Sequence, residues 1–109
     1  MENVASTERF EAIIRQEAAV LAYFSHEQCN VCKVLKPKVE ALLADQFPKI
    51  KALYCDTKNA PEIAASQSVF AVPTIIVWFE GKETYRFSRN IGLQELEGAL
   101  SRPYHLFFD

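Results

Sequence analysis

The sequence predicts an α/β domain, a three-layer α/β/α sandwich around a mixed central sheet. Three observations predict it. Short apolar runs of strand length alternate with segments whose apolar residues recur at helical spacing. Two of those runs, at 20–24 and 74–79, are apolar without alternation, as strands covered on both faces are. The second run is followed across Glu80-Gly81-Lys82 by an alternating segment, the pattern of a half-exposed hairpin partner. With 109 residues, the chain reads as a single domain spanning 1–109.

Each element has its own warrant. Ser6 is placed to cap a first helix running to about Glu17, with Phe10, Ile13 and Ile14 on its inner face. The first strand is Val20-Leu21-Ala22-Tyr23-Phe24. A second helix spans about Asn30 to Asp45, its inner stripe made by Val31, Val34, Leu35, Val39, Leu42 and Leu43. Pro37 inside it removes one amide donor and is expected to kink it. The run from Ile50 to Cys55 reads as a second strand, with Cys55 as a small buried hydrophobe. Asn59 is expected to cap a short helix with Pro61 in its first turn. The run at 74–79 is a third strand, rich in β-branched and aromatic residues, and 84–88 its hairpin partner. Leu93, Leu96 and Leu100 line a last helix that Pro103 is expected to end. Strands joined by helices are expected to pair in parallel, with an antiparallel hairpin at one edge. The apolar tail, residues 103–109, either folds back over the sheet or last helix or forms a dimer contact.

Composition narrows the function. Half the residues are apolar and 12% aromatic, enough for a core without covalent staples. The net charge is −2 with no Lys/Arg block, which argues against nucleic acid and anionic membrane as partners. No apolar run approaches the ~20 residues of a membrane span. The N-terminus lacks the basic and apolar regions of a signal peptide, so the expected location is the cytoplasm, although a processed export signal would leave the same appearance. Three cysteines are too few, and odd in number, for a disulfide framework. In a reducing compartment a close pair is more often catalytic or metal-binding.

That pair is Cys29-Asn30-Val31-Cys32, between the first strand and the second helix. Only a thiolate is a useful sulfur nucleophile, and unpaired amides at a helix start stabilise one. Cys29 is therefore the expected attacking sulfur, and Cys32, one turn further in, the buried resolving sulfur. Val72-Pro73-Thr74 precedes the third strand, where a proline can present a flat backbone edge to the ring. A CxxC also occurs in zinc sites, and His26, Cys29, Cys32 and Cys55 form a competing ligand set.

With these residues in place the chain resembles the thioredoxin family over nearly its whole length. The likeness rests on the strand at 20–24, Glu27, Cys29, Cys32, Lys33, Pro37, Asp56, Val72-Pro73-Thr74 and the Gly81 turn. It implies a thioredoxin fold and a thiol–disulfide oxidoreductase that reduces protein disulfides. It further implies a cis bond before Pro73, backbone hydrogen bonds from Val72 to the bound polypeptide, and a contact surface that includes Asn30 and Val31. No bound cofactor or metal is implied. The resemblance implies that electrons come from a partner reductase or a small thiol, and the protein is expected to be a monomer or weak dimer.

The departures are specific. The family's usual Trp-Cys-Gly-Pro-Cys is here Gln28-Cys29-Asn30-Val31-Cys32, without the aromatic residue before the first cysteine. Tyr23 replaces the family's buried acid, and the lysine that pairs with that acid falls at about Ala52. A phenol is a poor base near neutral pH, which leaves His26, Glu27 or water to take the proton of Cys32. These losses also fit a catalytically weak protein-interaction module on the same fold.

Overall fold

The computed structural model describes residues 1–109. Ser6 opens the first helix, its hydroxyl accepting the Arg9 N–H at 3.2 Å. In chain order the elements are β1 (Glu2–Asn3), α1 (Thr7–Gln16), β2 (Ala19–Ser25), α2 (Asn30–Gln46), β3 (Lys51–Asp56), α3 (Pro61–Ser66), β4 (Thr74–Phe79), β5 (Lys82–Ser88) and α4 (Leu93–Phe108). They form one five-stranded sheet, in the order β1-β3-β2-β4-β5, with a helix pair on each face.

Strand alternation assigns the two faces. Leu21, Tyr23, Ile75 and Val77 point toward α2 and α4, with Leu35, Val39, Leu96 and Leu100. Val20, Ala22, Phe24, Ile76 and Trp78 point the other way, toward α1 and α3, with Phe10, Ile13 and Ile63. Every residue of β2 and β4 is buried, which is why both runs lack alternation. Full burial of a side chain such as Phe10 contributes about 1.5–3 kcal/mol.

The sheet is mixed, but not in the way the connections suggest. β1 and β2 pair in parallel with β3, whereas β4 runs antiparallel to β2, with Phe24 opposite Thr74. β3 ends at Asp56 opposite Ser25 and β4 begins at Thr74 opposite Phe24, so the chain re-enters the sheet at the end where β3 left it. β4 and β5 then form the expected antiparallel hairpin, with Glu80 and Gly81 at φ 53° and 76°, as a two-residue turn matching strand twist requires. β1, a two-residue edge strand, has no sequence signal of its own.

Three local expectations are corrected. Asn59 is not the cap of α3; Ala60 is, without a side-chain bond, and Pro61 takes the first helical position. Asn59 instead closes a turn on Asp56, whose carboxylate accepts the N–H groups of Lys58 and Asn59 and the Asn59 side-chain amide. Pro103 does not end α4, which continues to Phe108. Tyr104 is buried on the far side of the proline and packs edge-on to Phe47 at 5.1 Å. Its hydroxyl accepts the Lys49 N–H at 3.1 Å. Phe107 stacks on Phe79 at 5.4 Å, so the tail folds back over the molecule. Last, Val31 and Val34 do not belong to the inner stripe of α2: they are 63% and 60% exposed.

Candidate active site: a disulfide at a helix mouth

β2 delivers the chain to one end of the sheet, and α2 starts there five residues later. Cys29 is the N-cap of α2 and Cys32 lies in its first turn, where one helical turn sets the two Cα atoms 5.2 Å apart, bonded as a disulfide. Cys29 is half-buried and Cys32 fully buried. The Cys29 sulfur also accepts the Cys32 N–H at 3.2 Å, and its carbonyl accepts the Lys33 N–H at 3.2 Å. One of the amides that a helix start leaves unpaired, that of Cys32, is thus directed at the more exposed sulfur.

Pro73 lies at the same end of the sheet, next to the Thr74 that pairs with Phe24, and the Val72–Pro73 bond is cis. The N–H and carbonyl of Val72 make no hydrogen bond within the chain. Asn30 and Val31 are exposed beside the disulfide. They open a groove of about 700 Å³ that continues along Val34, Leu35 and Lys38 to the loop after β5, at Arg89 to Gly92. That far wall was not legible as part of the site. Its signal was the second apolar pair on α2, Val31 and Val34, offset from the buried stripe.

Beneath the disulfide, Tyr23 is wholly buried and its hydroxyl donates to the Cys32 carbonyl at 2.8 Å. Burial, with Tyr54 stacked beside it at 6.3 Å, pushes the phenol well above its ordinary range. Tyr23 is therefore a fixed hydrogen-bond donor here. His26 is half-buried, and its Nδ1 is enclosed without a partner. It borders a cavity of about 320 Å³ that reaches Cys32 and is also lined by Glu27, Lys33, Lys36 and Tyr54. Glu27 itself is exposed. Gln28, where the family usually has an aromatic residue, accepts a hydrogen bond from the Lys58 ammonium.

The competing metal set does not assemble. Cys55 belongs to the layer packed on α1 and α3, while Cys32 belongs to the layer packed on α2 and α4. The structure gathers no group of three or more His, Cys, Asp or Glu side chains able to hold a metal.

A dithiol pair joined across a helix mouth, on a mixed sheet with this strand order, defines a thiol–disulfide oxidoreductase. The family model for Thioredoxin matches residues 2–102, and the chain belongs to the thioredoxin family. It is 33% identical over 107 residues to the thioredoxin-like protein YdfQ of Bacillus subtilis, a match covering 98% of this chain and 95% of that one. It is 33% identical over 100 residues to a thioredoxin of Chlamydia trachomatis, covering 92% of this chain and 93% of the relative. Among solved structures, Fasciola hepatica thioredoxin superposes with a TM-score of 0.85 at 30% identity, covering 94% of this chain and 98% of that one.

Proposed function

We propose that this protein reduces disulfides in other proteins, with Cys29 as nucleophile and Cys32 as resolving thiol. The observation that carries the reading is the Cys29–Cys32 disulfide at the start of α2, its outer sulfur accepting a helix amide. In the reduced protein that amide and the helix dipole favour the Cys29 thiolate. It attacks one sulfur of a substrate disulfide and expels the other as a thiolate, which takes up a proton. Cys32 then gives up its proton and attacks the Cys29 sulfur. The substrate leaves with both thiols reduced, and the two electrons have come from the protein's own dithiol. A partner reductase or a small thiol restores the dithiol.

The substrate strand lies along Val72-Pro73, using the free N–H and carbonyl of Val72, and across Asn30 and Val31. The proton of Cys32 leaves through the cavity bordered by His26 and Glu27, since Tyr23 is a donor there. The close cysteine pair suits a reducing compartment, the cytoplasm.

One observation favours a second reading, a binding module with slow chemistry: a neutral phenol stands where the family keeps its buried acid. Insulin reduction in dithiothreitol separates the two. The expected result is acceleration over dithiothreitol alone, abolished by Cys29→Ser, and accumulation of a mixed disulfide with Cys32→Ser. No acceleration by the wild-type protein favours the binding module.

A further inference from the structure

The groove that runs from the disulfide along α2 has an apolar floor and a one-signed rim. Val31, Val34, Leu35 and Ile91 supply the floor, and the charged side chains that line it are Lys38 and Arg89. No carboxylate lines the groove, and neither cation makes an ion pair. The chain as a whole is acidic, with net charge −2, so the cationic rim is a local arrangement. Lys33, also exposed and without an ion pair, extends the positive field to the far side of the disulfide, where Glu27 opposes it.

Arg89 carries a second observation. Its φ is 64°, in the left-handed region that glycine adopts without steric conflict and arginine does not. Its N–H donates to the Pro73 carbonyl at 2.7 Å, which ties this residue to the backbone beside Val72. A residue whose backbone is held in a disfavoured conformation at the rim of a binding surface is the kind of outlier that function retains.

We propose that this groove selects disulfide-bearing polypeptides with acidic residues flanking the attacked cysteine, an apolar side chain on the Val31–Val34 floor and carboxylates against Lys38 and Arg89. This rests on the disulfide-reductase reading above. Both cations are exposed, so their effect falls on encounter and orientation and is screened by salt.

Two synthetic peptides test it. Each has one internal disulfide and the same leucine beside the attacked cysteine, with glutamates flanking it in one and lysines in the other. Reduction is followed by mass, with dithiothreitol supplying the electrons. The expected kcat/KM is about tenfold higher for the acidic peptide at low salt, with the two converging at high ionic strength. In the Lys38→Glu/Arg89→Glu variant the order reverses, and in Lys38→Gln/Arg89→Gln it flattens. Equal rates for the two peptides with the wild-type protein, or an acidic preference that survives in both variants, overturns the selection while leaving disulfide reduction intact. Reduction of neither peptide above the dithiothreitol background removes the reductase reading and this proposal with it.

Discussion

At the scale of single residues, the three cysteines have three different chemistries set by three environments. Cys29 meets a helix amide, Cys32 lies buried above Tyr23, and Cys55 is buried on the opposite face of the sheet among apolar side chains. Burial pushes the Cys55 thiol up to about 12 from an ordinary 9.0. Alkylation of the reduced native protein at neutral pH is therefore expected to label Cys29 first and to leave Cys55 untouched until the chain unfolds; mass spectrometry of the labelled peptides reads this directly. The same shift has a stability consequence. The folded-state value is raised, so the contribution of Cys55 is fully present below about pH 9 and is lost as pH rises toward about 12, where only the unfolded chain ionises. Wild type is expected to lose stability relative to Cys55→Ala as pH rises across that window, measured by urea unfolding.

At the scale of elements, α4 shows how packing overrides a local breaker. Pro103 cannot donate to the Ala99 carbonyl, and a proline in a helix interior costs about 3 kcal/mol relative to alanine. The turn beyond it returns more contact than that: Tyr104 packs against Phe47 and Phe108 and accepts the Lys49 N–H, and Phe107 stacks on Phe79. Tyr104→Ala is expected to destabilise the protein by about 3–5 kcal/mol, with a clear drop in melting temperature. Leu106→Ala, two residues on but 73% exposed, is expected to change stability by no more than about 0.5 kcal/mol. Equal effects at the two positions would mean that the tail does not pack as described. The active-site helix follows a different rule. Its buried stripe is Leu35, Val39, Leu42 and Leu43, and the neighbouring Val31 and Val34 extend the apolar surface outward beside the disulfide.

At the scale of the whole molecule, the large exposed apolar side chains fall in three separate places. Val31 and Val34 flank the disulfide, Phe70 is on the loop before Val72, and Leu106 and Phe107 are at the end of α4. Stable interfaces bury on the order of 800 Å² on each partner, as a continuous patch. Sedimentation is therefore expected to report a monomer at micromolar concentration, and a stable dimer would show that two of these places act together. The expected strands and helices are present because periodicity, proline and capping residues act over a few neighbours: Ser6 caps, the runs at 20–24 and 74–79 are buried, and the CxxC opens a helix. The direction of β4, the continuation of α4 and the edge strand β1 depend on partners far along the chain, and local patterns do not encode them.

The amino-acid sequence by itself determined the α/β class, the placement of Cys29 and Cys32 at a helix start, and the loss of the buried acid at Tyr23. Each of these is a property of residue type and near-neighbour spacing. Only the tertiary structure decided that Cys55 lies on the other side of the sheet from Cys32, that the Tyr23 hydroxyl reaches the Cys32 carbonyl, and that Arg89 closes a groove begun by Val31. Those depend on which strands pair and in which register, because a shift of one residue moves every side chain of a strand to the opposite face.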